Sequence, residues 1–345
     1  MITRRKLLRN TVLTALAAAG IPICHGRGGA APQQRKDRTI MTVRGPVSAD
    51  ELGLILSHEH VLVDFIGAMD TGYHRWDRDD VVRVMTPKLA AIKAAGFDAL
   101  FECTPAWLGR DPRLLARLSE ASGLHLVTNT GYYGARQNKF LPAHALTASA
   151  ESLAERWINE WERGIEDTGI KPGFIKIGLD EGSLSPVHAR LIRAAAITHR
   201  ETGLAIASHT GGGPGAFEAL DILTKEGVPA EAFIWVHAQG EKDVQRHVAA
   251  ARRGCWISLD GVQDDNAADY AENILALHNA GLLHKVLISQ DAGWYTPEEK
   301  GNGSFRSYLS IHNVLIPLLK KKGVTDDEVR RLLHDNVINA FGNKV

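Results

Sequence analysis

Residues 54–61 read LILSHEHV: Leu54, Ile55, Leu56, Ser57, His58, Glu59, His60 and Val61. Four apolar or small residues run into a histidine, a carboxylate and a second histidine. On a β-strand successive side chains point to opposite faces, so histidines at i and i+2 look the same way, one pleat apart. Such a pair is either a pincer suited to a metal ion or ordinary polar lining. The choice depends on whether distant parts of the chain bring matching ligands.

Working outward from this stretch, one pattern repeats: a short apolar run, a loop, an amphipathic helical stretch, and a glycine near its end. Eight apolar runs read as strands, at 54–60, 99–104, 125–130, 174–179, 205–210, 233–238, 256–260 and 286–291. Each is mostly apolar along its whole length, as expected of parallel strands covered on both faces. Helical periods fall between them at 81–95, 114–122, 149–167, 187–202, 215–226, 243–253 and 270–280, with two more at 305–321 and 326–341. The helix at 187–202 carries full punctuation: Ser185 as N-cap, Pro186 in the first turn and Gly203 past the end. Eight such units predict an α/β fold, a (β/α)8 TIM barrel. The alternative, an open doubly wound sheet, lacks a G-x-G-x-x-G after the first strand.

Active sites of such barrels gather at the C-terminal ends of the strands. There stand His58 and His60 on the first strand, Lys176 on the fourth, His209 on the fifth, His237 on the sixth and Asp291 on the eighth. Of fifteen histidines, only these four fall at such ends. Imidazoles and a carboxylate suit zinc or a similar divalent ion, and six ligands are too many for one tetrahedral site. Two bridged ions would use them all. An ammonium cannot ligate a cation, but a lysine buried beside metals would be neutral and able to react with CO2, giving a carbamate that serves as a carboxylate.

Composition agrees with a folded, buried-core protein, 44% hydrophobic and 23% charged. Forty basic and forty acidic residues cancel, which argues against nucleic acid or an anionic membrane as partner. Residues 1–31 read differently. Arg4 and Arg5 begin a twin-arginine-like patch, followed by the apolar run 11–24 and the small residues 28–31. That run is shorter than the ~20 residues a membrane span needs. The expectation is an export signal and a periplasmic protein, with one catalytic domain over residues 40–345. Cys103 ends one strand and Cys255 begins another, so no disulfide between them is expected.

The ordered set HEH, FIKIG, SHT, VHA and SQD, with Gly109-Arg110-Asp111 and the stretch 164–170, resembles the phosphotriesterase family of the amidohydrolase superfamily, which includes lactonases. The resemblance covers residue 40 to the C-terminus. It implies that His58, His60 and Asp291 hold a buried metal ion and His209 and His237 a more exposed one. It also implies that N6-carboxylated Lys176 and a hydroxide bridge the two ions, which are zinc, cobalt or manganese. The hydroxide would attack a lactone, a carboxylic ester or an organophosphate triester, with Asp291 taking its proton as the catalytic residue. A homodimer is implied as well.

Two departures stand out. Where phosphotriesterases carry an aspartate three residues after the sixth-strand histidine and a histidine after the seventh-strand aspartate, this chain has Gly240 and Gly261. The outward proton relay is missing, which favours lactones or carboxylic esters over phosphotriesters; Gln239 or Asp264 is a candidate substitute. Trp107, Tyr132, Tyr133, Trp294 and Tyr295 lie in loops past the strand ends and are expected to form an apolar pocket for a small, uncharged substrate. Glu102 is expected to orient a ligand histidine and Glu59 to be structural. A non-catalytic barrel that binds metal and a small molecule is the alternative function.

Overall fold

Each of the eight apolar runs forms a strand in the computed structural model, which describes residues 38–300, 303 and 305–344. The expected export signal lies outside the described residues. β1 is Leu54–Leu62, β2 Phe97–Glu102, β3 His125–Val127 with a continuation at Asn129–Thr130, and β4 Phe174–Gly178. β5 is Ile206–His209, β6 Phe233–Val236, β7 Trp256–Leu259 and β8 Val286–Ile288. Neighbours pair in parallel in two arcs that share the third strand, β1 to β3 on one side and the Asn129–Thr130 continuation through to β8 on the other. Between β8 and β1, Asp291 N donates to His58 O at 3.1 Å and His60 N to Ala292 O at 2.9 Å. Gly293–Tyr295 then pairs with β1.

The helices alternate with the strands as a (β/α)8 barrel requires. α1 is Arg78–Ala94, α2 Pro112–Ser122, α3 Ala150–Arg163, α4 Pro186–Thr202, α5 Gly213–Lys225, α6 Val244–Arg252 and α7 Ala267–Asn279. The α4 punctuation forms as read: Ser185 Oγ accepts from His188 N at 3.2 Å, and Gly203 closes the helix at φ 73°. None of the described helices is long and apolar enough to cross a membrane.

Strand alternation sorts the core into two layers. Ile55, Phe101, Phe174, Ile234 and Leu287 pack together inside the barrel. Leu56, Leu100, Ile175, Ile206 and Ile257 face the helices. The inner layer continues onto Phe341 of the C-terminal helix, whose ring lies 4.5 Å from that of Phe101. That plug closes the floor and leaves the C-terminal ends of the strands as the open face. Cys103 follows β2 in the inner layer and Cys255 precedes β7 in the outer one; both thiols are free and buried.

β1 breaks its own alternation. With Ile55 inward and Leu56 outward, an unbroken strand would turn His58 and His60 toward the helices. The ladder with β2 instead slips between Leu56 and Glu59. Beyond this bulge both histidines face the interior and Glu59 faces the β8 seam, a re-aiming that bulges near active sites supply. Glu59 is fully buried and accepts from Ser289 Oγ (2.8 Å), Gln290 N (3.0 Å), Gln290 Nε2 (3.3 Å) and Ala292 N (2.7 Å). Glu59→Ala should therefore strip a buried seam of its acceptor and cost about 3 kcal/mol or more of unfolding free energy. A urea midpoint equal to that of the unaltered protein would show that this carboxylate does not hold the seam.

Candidate metal centre

Parity carries two of the expected ligands inward without help: Lys176 follows Phe174 on β4, and His209 follows Ala205 and Ala207 on β5. His237 does not follow parity, because Val236 already faces inward. A left-handed backbone at His237 (φ 61°, ψ 35°) turns its ring in after all. Asp291, at φ 49°, is held in a similarly disfavoured conformation. As a result His58, His60, Lys176, His209, His237 and Asp291 line one cavity with about 540 Å³ of free space, open to solvent.

Within it, ring centroids lie 5.4 Å apart for His58 and His60, 5.0 Å for His58 and His237, and 4.4 Å for His209 and His237. Asp291 Oδ1 stands 3.0 Å from His60 Nε2 and 3.7 Å from His58 Nε2. Donor atoms of His58, His60 and Asp291 all fall within 4.8 Å of one another, as do those of His58, His237 and Asp260.

Asp260, at the end of β7, is the residue that sequence reasoning left out of the site. Its buried carboxylate accepts from His58 Nδ1 at 3.0 Å and His237 Nδ1 at 2.7 Å, and also from Ser258 Oγ at 2.7 Å and Gln239 Nε2 at 3.1 Å. Burial alone would raise this carboxyl; the charges of and hydrogen bonds from His237 and His58 outweigh it and hold the group well below the usual range. A signal was available, since Asp260 shares the inward parity of Trp256 and Ser258. His60 Nδ1 is held at 2.7 Å by Thr104 Oγ1, whose proton goes to buried Glu102. Glu102 thus orients His60 through a hydroxyl.

With Nδ1–H donated to Asp260 or Thr104, the imidazoles of His58, His237 and His60 present Nε2 lone pairs to the cavity, the arrangement of metal-ligating histidines. Burial, against the pull of Asp260 and Asp291, lowers His58 to about 4. Burial and then the charge of His237 keep His209 well below the ordinary histidine range. Lys176 is 2% exposed, and its Nζ has no hydrogen-bond acceptor or ion pair among the described residues. Burial lowers its pKa and favours the neutral amine. Burial would lower His237; the charge of Asp260 and the hydrogen bond to it outweigh this and raise it. Imidazoles anchored through Nδ1, a carboxylate and a buried lysine whose pKa is lowered are a donor set that fits divalent ions of the zinc type.

The five aromatic residues expected at the pocket separate. Tyr133 and Trp294 line the cavity over the histidines, beside Val63, Phe65, Leu108 and Phe140. Trp107 and Tyr132 instead line a second depression with Tyr73, Trp76 and Arg110. The Tyr132 hydroxyl lies 3.1 Å from His144 Nε2, away from the ligands. Tyr295 is 3% exposed and donates to Asp80 at 2.6 Å, so it braces α1 and lines neither cavity. Periodicity says little about such loop residues, whose direction depends on turn geometry.

The relay positions are filled as well as empty. A Cβ on residue 261 would stand 2.4 Å from the Tyr270 hydroxyl and 3.0 Å from Gln239 Nε2; one on residue 240 would stand 2.5 Å from the Gly211 carbonyl. Gln239 is committed to Asp260 at both ends, its Oε1 accepting from Asp260 N at 3.2 Å. Asp264 lines a separate depression with Gln263 and Arg306. Neither residue lines the cavity that holds the four histidines.

A profile of the phosphotriesterase family matches residues 38–341. The chain is 32% identical over 314 residues to a phosphotriesterase homology protein of Mycobacterium tuberculosis, covering 87% of this chain and 96% of that one. It is 29% identical over 306 residues to an aryldialkylphosphatase of Saccharolobus solfataricus, covering 86% and 96%. The solved organophosphorus hydrolase of Deinococcus radiodurans superposes with a TM-score of 0.78 at 27% identity, over 91% of this chain and all of that one. With the barrel, the histidines, lysine and aspartate gathered at its strand ends and these matches in agreement, the chain belongs to the phosphotriesterase family.

Proposed function

We propose that this family member hydrolyses ester-type bonds with two divalent ions, zinc or else cobalt or manganese. His58, His60 and Asp291 would hold one, His209 and His237 the other, and N6-carboxylated Lys176 would join them. The observation that carries the proposal is Lys176: a buried amine with no acceptor among the described residues, facing four histidines at the open end of the barrel. Bound divalent ions would lower the pKa of water and polarise the bond under attack.

The chain's own residues supply the rest. Among the described residues Asp291 is the one carboxylate lining the cavity; burial pushes its carboxyl up, and the hydrogen bond from His60 with the charges of His60, His58 and His237 outweighs this and holds it at about 2. It stays ionised and so can take the proton released during attack. Asp260 and Thr104 keep the imidazoles in one orientation. Val63, Phe65, Leu108, Phe140 and Trp294 exclude water and accept the apolar part of a small substrate. With Gly240 and Gly261 at the relay positions, lactones and carboxylic esters rank ahead of phosphotriesters.

A panel of aryl esters, γ- and δ-lactones and aryl phosphotriesters, assayed with zinc, cobalt or manganese, tests this. Turnover of at least one ester class, abolished by a chelator, is expected, with about two ions per chain by metal analysis. Full metal loading without turnover on any of them would favour the alternative, a metal-containing binding protein. The proposal includes export of the folded protein by the twin-arginine pathway, which cell fractionation tests.

A further inference from the structure

Within the cavity the ligand set accounts for every ionisable nitrogen and carboxylate except one guanidinium. Arg136 lines the same space as the histidines, beside the apolar wall of Val63, Phe65 and Leu108. It makes no ion pair or hydrogen bond among the described residues, although Asp180 is close enough to bind the next residue's backbone, Gln137 N, at 3.2 Å through either oxygen. Its guanidinium carbon lies 6.0 Å from the Phe65 ring centroid.

The backbone that carries Arg136 is costly and pinned. Arg136, Gln137 and Asn138 adopt φ of 58°, 58° and 63°, three successive left-handed residues with none of them glycine. L side chains disfavour that region, and such strain persists where surrounding structure imposes it. Here Asn138 N donates to Gly134 O at 3.1 Å, and Lys139 clamps the turn to the loop after β1 through Ala68 N to Lys139 O (3.1 Å) and Lys139 Nζ to Phe65 O (2.7 Å). The turn thus holds a cation at the rim of the cavity in place of a flexible loop.

We propose that Arg136 binds an anionic group of the substrate, a carboxylate or a group of like geometry, separated from the scissile ester by an apolar segment that lies along Phe65 and Leu108. A guanidinium pairs with a carboxylate through two parallel hydrogen bonds, and one without a protein partner is available for that role. The assignment rests on the hydrolase proposed above, and it replaces the expectation of an uncharged substrate with that of a monoanionic ester or lactone.

Two paired measurements on the metal-loaded protein test it. The first compares kcat/KM for 4-nitrophenyl hydrogen glutarate with that for its carboxamide analogue. The unaltered protein should prefer the anion, chiefly in KM, and Arg136→Gln should lower the anion-to-amide ratio by about 10- to 100-fold, with part of it recovered in Arg136→Lys. Because the readout is a ratio, any general loss of folding or metal cancels. The second compares the binding of 4-phenylbutyrate and 4-phenylbutyramide through Trp294 fluorescence, and needs no turnover. If neither ester is hydrolysed, the substrate panel above decides the hydrolase reading and the binding ratio alone decides the role of Arg136. A ratio unmoved by Arg136→Gln in the measurement that gives signal overturns the proposal.

Discussion

Lys176→Ala should purify folded but with metal content well below the about two ions per chain expected of the unaltered protein, and with kcat/KM lower by about 1000-fold or more. The side chain is buried inside the barrel and makes no hydrogen bond among the described residues, its Nζ lying 5.4 Å from the Tyr133 ring centroid, so its loss removes no hydrogen bond from the fold. What disappears is the group proposed to join the two ions. Short carboxylates such as formate or acetate should restore part of the activity by entering the space it leaves. Inductively coupled plasma analysis beside the ester assay checks both halves. Unchanged metal content in Lys176→Ala would remove the bridging role, whatever happened to the rate.

Asp260→Asn should weaken metal binding by about 10- to 100-fold while leaving every direct ligand in place. In the protein as it stands, one carboxylate accepts Nδ1–H from both His58 and His237, rings whose centroids are only 5.0 Å apart. A carboxamide of the same size offers a single acceptor oxygen and presents N–H where one imidazole now donates. That imidazole must then flip or change tautomer, which turns a protonated nitrogen toward the cavity. Competition with a chromophoric chelator measures the effect. An affinity equal to that of the unaltered protein would show that the rings are held by packing alone.

The barrel was legible because parallel strands covered on both faces are nearly continuous apolar runs, and all eight were present in order. Lys176 and His209 were legible for the same reason, since strict alternation carries them inward. His58, His60 and His237 were assigned from their place at strand ends, yet each reaches the cavity by a device that periodicity does not contain: a register slip in β1 and a left-handed residue after β6. Asp260 went unassigned because a positioning carboxylate has no motif of its own. Trp107, Tyr132 and Tyr295 were misplaced because loop aromatics carry no parity, and only the tertiary fold decides that Tyr295 reaches Asp80 and Tyr132 reaches His144.

The Glu59 clasp also fixes an order of events. It joins positions 230 residues apart in the chain, and the residues it grips flank Asp291. An N-terminal portion emerging during synthesis has the histidine pair but neither the carboxylate that faces it nor the strand that holds that carboxylate. Contacts of such long sequence separation form late, after the entropy of closing the intervening chain has been met. In the proposed centre, the site of His58, His60 and Asp291 is therefore completed only when β8 has joined β1. Uptake of an ion at that proposed site would report that the last strand has been made and the ring closed.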